Sequence, residues 1–208
     1  MEQVTFYLSF MQREESGTLE FKLRIDSQQK IAKTLVAFAN GEGGRIAIGV
    51  RDNGSVAGCN VEEEFHMIEG AAQRFTRPEV PCSAQQERWD GKLVLVVTVP
   101  PSVVRPHEAQ LEGTDHWLAF VRRGAANFKA NRVLLEAMSL RSQEAVQASE
   151  FQLDLLKLLG QSPISASALA RASKLPIREV EDGLAVLLHW GQIQASPVEQ
   201  GWRYTALE

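Results

Sequence analysis

Ala37-Phe38-Ala39-Asn40-Gly41-Glu42-Gly43-Gly44-Arg45-Ile46-Ala47-Ile48-Gly49-Val50-Arg51-Asp52 carries a helix ending, a glycine turn and an apolar strand in quick succession. Upstream of it, Ser27 can cap a helix whose apolar positions Ile31, Leu35, Val36 and Phe38 recur at helical spacing, and Gly41 lies just past its end. The spacing predicts a helix over 28–40. Gly43-Gly44 lets the chain turn sharply into a strand over 45–50, and Asp52-Asn53-Gly54 has the composition of a turn. Asp52 is thereby expected at a strand end with its carboxylate exposed.

Two more acids precede this unit, in Glu15-Ser16-Gly17-Thr18-Leu19-Glu20-Phe21-Lys22. The alternation over 18–22 predicts a half-buried strand with Glu20 and Lys22 on one face, Leu19 and Phe21 on the other. Carboxylates at Glu15, Glu20 and Asp52 can ligate a hard divalent cation such as Mg²⁺ or Mn²⁺. An ammonium at Lys22 can offset charge building up on an attacked phosphate. Around these acids the sequence places Lys22, Arg24, Lys30, Lys33, Arg45 and Arg51, a basic rim for a polyanion.

The 208 residues suffice for one large domain or two small ones. A hydrophobic share of 44% with 23% charged residues is that of a globular protein, not of a disordered one. The longest apolar run, over 93–99, is far too short for a bilayer span, and the N-terminus lacks a basic region before an apolar one, so the expected location is the cytoplasm. Cys59 and Cys82 share no zinc spacing with His66, His107, His116 or His189. A net charge of −4 argues against a general nucleic-acid coat, because phosphate affinity comes from clustered Lys and Arg.

Helices and strands mix through residues 1–142. A helix is expected over 62–74. Asp90-Gly91 joins strands over 82–89 and 92–99 as a hairpin, another strand spans 117–121, and a helix over 130–140 closes the domain. The expected class is α+β, a mixed sheet with packed helices. Beyond the polar stretch 141–149 the pattern becomes three short helices, with Ser165 capping the second and Pro176 opening the third. Two strands around Glu199-Gln200-Gly201 follow, and this order over 149–208 predicts a winged helix-turn-helix. Its third helix opens Pro176-Ile177-Arg178-Glu179-Val180-Glu181-Asp182, with one cation against three acids. From Ser149 onward five basic residues (Lys157, Arg171, Lys174, Arg178, Arg203) face seven acidic ones (Glu150, Asp154, Glu179, Glu181, Asp182, Glu199, Glu208), which disfavours strong phosphate contact. Docking or dimerisation suits this module at least as well as reading DNA.

Four ordered motifs carry a resemblance. They are Glu15-Ser16-x-x-x-Glu20-Phe21-Lys22, Ala37-Phe38-Ala39-Asn40-Gly41-Glu42-Gly43-Gly44, Ile48-Gly49-Val50-Arg51-Asp52 and Val121-Arg122-Arg123-Gly124. Together they resemble the Schlafen-type AlbA-like domain over roughly residues 1–140. The resemblance implies a metal-dependent site cleaving transfer and ribosomal RNA, with Glu15, Glu20 and Asp52 as metal ligands and Lys22 as electrostatic stabiliser. It also implies a homodimer, since the animal catalytic core resembles two such domains around a basic groove and this chain has one. Other members are described as DNA-binding, regulatory or ATP-binding.

Two functions follow as expectations. One is a metal-dependent endoribonuclease acting on structured RNA such as tRNA. The other is a non-catalytic DNA-binding regulator. In either, Lys33, Arg45, Arg51, Arg122 and Arg123 are the expected nucleic-acid contacts, with RNA favoured over DNA for the first domain. Gly43-Gly44 lacks the Lys-Ser/Thr of a P-loop and is expected to serve the fold, as is Asn40 through its amide; the four tryptophans are expected in packing, and His107 has no assigned role.

Overall fold

The computed structural model describes residues 15–140 and 149–207 of the chain, which divides into two compact units, Met1–Lys129 and Ala130–Glu208. In the first unit the order is β1 (Leu19–Lys22), α1 (Gln28–Ala39), β2 (Gly44–Ile48), α2 (Val61–Phe75), β3 (Thr76–Arg77), β4 (Ser83–Trp89), β5 (Lys92–Val99), β6 (Glu108–Gln110), β7 (Trp117–Leu118), β8 (Phe120–Arg123) and β9 (Ala126–Lys129). The class is α+β.

A four-stranded mixed sheet, ordered β1-β2-β5-β4, organises the unit. β1 runs parallel to β2, and β5 pairs antiparallel with both β2 and β4. A parallel pair needs a crossover, and α1 supplies it. Ser27 begins α1 as expected, its side chain accepting from Lys30 N–H, and Asn40 ends it. The helix buries Ile31, Leu35 and Phe38 against Ile46, Ile48, Leu95 and Val97 of the sheet, together with Ile68 and Ala72 of α2. The other sheet face gathers Leu19, Phe21, Ala47, Trp89, Val94 and Val96. Because β2 and β5 bury both faces, they read as continuous apolar runs rather than as alternating ones.

The Asp90-Gly91 turn forms with both residues at positive φ (47° and 76°), the conformation that lets a two-residue loop match strand twist. The single strand expected over 117–121 is instead two. β7 pairs with β6, β8 pairs with β9, and Ala119 lies between them. The apolar run was continuous, but its two halves serve different sheets.

The second unit contains α3 (Arg132–Ser139), α4 (Glu150–Leu159), α5 (Ala166–Ser173), α6 (Ile177–His189) and the hairpin β10 (Ile193–Val198) with β11 (Gly201–Ala206). The polar stretch 141–149 lies, apart from Ser149, outside the described residues. Ser149 opens α4 with a reciprocal capping box to Gln152. α3 packs along α6, where Arg132 donates to Glu181 Oε2 at 3.1 Å and to Asp182 Oδ1 at 2.6 Å. Val180, Gly183, Leu184 and Leu187 of α6 are buried. Its exposed residues are Ile177, Arg178, Glu179 and Asp182, all in the first two turns.

Candidate nucleic-acid interface

The site grows out of the alternation in β1. Leu19 and Phe21 enter the sheet's second core, so Glu20 and Lys22 project from the opposite face, in register with Ile46 and Ile48. Glu20 is 8% exposed, and a carboxylate removed from water to that extent needs compensating charge. It receives two cations: Lys22 Nζ lies 2.5 Å from Oε1, and Arg122 Nη2 lies 2.5 Å from Oε2.

Arg122 comes from β8 and is itself 3% exposed. Its Nε donates to Ser16 O at 2.8 Å, Nη1 to Asn127 Oδ1 at 3.2 Å and Nη2 to Leu19 O at 3.3 Å. Phe38 of α1 places its ring 5.1 Å from the guanidinium carbon. Each guanidinium nitrogen is thus committed within the protein, and Arg122, expected at a phosphate-gripping turn, instead stands in the interior. Asn127 continues the network by donating to Thr34 Oγ1 at 2.9 Å, tying β9 to α1.

Glu15 Oε1 accepts Phe21 N–H at 2.9 Å. Asp52 is exposed in a turn closed by Gly54 N–H to Arg51 O at 2.8 Å. Among the described residues no three His, Cys, Asp or Glu side chains group so as to hold a metal ion. A hard divalent cation takes several oxygen ligands whose charge is not already matched. Both Glu20 oxygens face cations and Glu15 serves a peptide N–H, so this donor arrangement does not fit Mg²⁺ or Mn²⁺.

What the structure does bring together is positive charge. Lys22, Arg24 and Lys30 line one cleft of about 230 Å³ with Ile25, Ile31 and Thr34, at the N-terminal end of α1. Lys33 lies one turn along the helix from Lys30, its Nζ 5.9 Å from the Phe120 ring centre. Arg24 pairs with Asp26 at 2.9 Å and Lys30 with Glu112 at 3.8 Å, through side chains that are all largely exposed. Exposed pairs of this kind contribute about 0–1 kcal/mol and exchange readily for a stronger anion. The sequence placed Arg24 and Lys30 in the basic rim but not among the site residues; their convergence depends on the turn between β1 and α1.

The remaining expected cations are dispersed. Arg45 is exposed and lines a separate cleft of about 390 Å³ with Thr18, Glu42, Thr98 and Pro101. Arg51 is exposed beside Ser55, whose Oγ accepts from its Nη1 at 3.4 Å. Arg123 is half-buried and donates to Arg122 O at 2.9 Å. Burial lowers its pKa, against a raising effect from Glu42.

The glycine turn serves packing, as the sequence suggested. A Cβ on Gly43, at φ +78°, would lie 2.7 Å from Val99 O, and one on Gly44 would lie 2.5 Å from the Phe38 ring. Asn40 bridges backbone: Nδ2 donates to His107 O and Phe120 O, both at 2.9 Å, and Oδ1 accepts His107 N–H at 2.7 Å. His107 is buried, with Nδ1 2.7 Å from Pro78 O, so that nitrogen carries the proton, and Nε2 2.8 Å from Ser102 Oγ.

The family profile described as "Schlafen, AlbA_2" matches residues 15–131, more than half the chain. The chain belongs to this family. Among solved structures it is similar to the DIP2311 protein of Corynebacterium diphtheriae at 16% identity and a TM-score of 0.49, covering 97% of this chain and 38% of that one. It is also similar to the N-terminal domain of a RecG-related protein from Nitrosomonas europaea, at 21% identity and a TM-score of 0.44, covering 72% of this chain and 97% of that one. The chain therefore spans well under half of DIP2311. No curated protein sequence matches it significantly. Among the described residues, no helix is long and apolar enough to cross a membrane.

Proposed function

We propose that this Schlafen AlbA_2 protein binds nucleic acid through its phosphate backbone, without cutting it, and acts as a regulator. The observation that carries the reading is the convergence of Lys22, Arg24 and Lys30 in one cleft, with Lys33 on the adjoining turn of α1. Four cations over a short path suit successive phosphates, and they release counterions on binding. Glu20 holds Lys22 and Arg122 in place and neutralises them in part, so it shapes the cleft rather than binding a metal.

The second unit, as a winged helix, is a docking module in this reading. α6 would be the DNA-reading helix, yet α3 packs along it and Arg132 engages Glu181 and Asp182. Its exposed beginning offers Arg178 against Glu179 and Asp182, a poor match for phosphate.

The test is incubation with transfer RNA, single-stranded DNA and duplex DNA in Mn²⁺, with binding and cleavage scored together. Binding without cleavage is expected. Cleavage by the wild type that disappears in Glu20→Gln would restore the nuclease reading and remove this one.

A further inference from the structure

The phosphate cleft is already met by an anion of the chain's own. Between β6 and β7 the segment Leu111-Glu112-Gly113-Thr114 turns back tightly, Thr114 N–H donating to Leu111 O at 3.1 Å and Leu111 N–H to His116 O at 2.8 Å. Leu111 packs against the core with Leu118, and Glu112 is left exposed at the tip. Its carboxylate reaches the start of α1. Ser27 Oγ donates to Glu112 Oε1 at 3.0 Å, and Lys30 Nζ lies 3.8 Å from Oε2. Ser27 and Lys30 both line the cleft.

Glu112 differs from the carboxylates paired with the cleft's other cations. Glu20 is buried beside Lys22, and Asp26 holds Arg24 from two residues away. Glu112 comes instead from a separate hairpin, 85 residues beyond Ser27. α1 has no acid in its first turn, so Glu112 supplies the negative charge favoured at that end of a helix. Ser27 Oγ accepts Lys30 N–H at 3.3 Å, which leaves its hydrogen for the carboxylate. The hairpin is anchored at its other end, where the Arg77 guanidinium carbon lies 4.6 Å from the Trp117 ring centre and Nε donates to Glu108 Oε2 at 2.7 Å. The tip can therefore shift while the ladder stays.

We propose that Glu112 is an autoinhibitory latch on the phosphate cleft: its carboxylate occupies Ser27 and Lys30 until nucleic acid displaces it, a role that rests on the binding function proposed above. Carboxylate and phosphate oxygens accept from the same hydroxyl and ammonium donors, so the two anions exclude each other there. An exposed tie of this kind is weak. A polyanion that also engages Lys22 and Arg24 overcomes it.

The test measures affinity for a random single-stranded oligonucleotide, and amide hydrogen exchange, on the whole chain as wild type, Glu112→Ala and Asp115→Ala. Asp115 is exposed in the same loop, so its variant removes an equal charge and leaves Glu112 in place. Glu112→Ala is expected to bind about two- to fivefold more tightly than the wild type, with Asp115→Ala nearer to the wild type. Without oligonucleotide, exchange over 111–116 is expected to quicken in Glu112→Ala. In the wild type, adding oligonucleotide quickens exchange in the same segment. Equal affinities in the two variants, weaker binding by Glu112→Ala, or protection of 111–116 on binding overturns the latch and leaves the binding function standing. An oligonucleotide that none of the three proteins binds overturns both.

Discussion

Glu20 Oε2 and Arg122 Nη2 meet at 2.5 Å in the interior of the first unit, brought together from β1 and β8. Removing Arg122 leaves Glu20 with the partly exposed Lys22, and breaking a buried pair from one side costs about 3–5 kcal/mol. Arg122→Met is therefore expected to destabilise the protein by that amount in urea unfolding. Glu20→Leu combined with Arg122→Met should cost less than the sum of the two single changes. A cost for Arg122→Met below about 1 kcal/mol would show that the pair is not a structural tie.

Asn40 satisfies three backbone groups of the segments around His107 and Phe120. Asn40→Ala strands one buried N–H and two carbonyls, and a loss of about 3 kcal/mol is expected by thermal or urea unfolding. Asn40→Asp should be at least as harmful, because a carboxylate would face two carbonyl oxygens that need a donor.

Glycine 44 packs against an aromatic ring, whereas a Cβ on Gly17 would meet nothing within 4 Å. Gly44→Ala is expected to cost about 1–3 kcal/mol through overpacking against Phe38. Gly17→Ala should fall within about 0.5 kcal/mol of the wild type. Equal effects from the two changes would contradict the packing role assigned to the glycine turn.

Glu64 gives the protein a pH dependence whose sign is fixed by burial. Removal from water raises its pKa, against the lowering effect of Ile25 N–H, which donates to Oε2 at 3.0 Å. The folded state therefore holds this proton more tightly than the unfolded state does. Its contribution to stability is greatest below the unfolded carboxyl pKa and is lost as pH rises through the higher folded value. Glu64→Gln keeps an acceptor for Ile25 and removes the charge. It is expected to raise the melting temperature at neutral pH relative to the wild type, with the gap closing on acidification. A gap that widens toward acid pH would reverse the assignment.

Much of this fold was legible from local signals. Ser27, Gly41 and the apolar spacing between them delimit α1, and Asp90-Gly91 announces its hairpin, because caps and turns are decided within a few residues. The faces of β1 were legible for the same reason. The fate of its carboxylate was not. Arg122-Arg123 before a glycine reads as a nucleic-acid contact, and only the pairing of β8 with β9 and its packing on α1 turns Arg122 inward to Glu20. The sequence set Glu20 and Lys22 on one face of β1, where the structure pairs them, but could not supply a second partner from so far along the chain. Likewise the continuous apolar run 117–121 gave no sign that Ala119 divides two sheets.

In the proposed function, cations of the Lys22–Arg24–Lys30 cleft contact phosphate. The most direct measurement is the slope of log affinity against log salt for a random single-stranded oligonucleotide, compared between the wild type and Arg24→Ala with Lys30→Ala. A steep negative slope is expected for the wild type, reduced by about 1.4 in the double variant if two phosphate contacts are lost. An unchanged slope, or no binding by the wild type at low salt, would contradict the account.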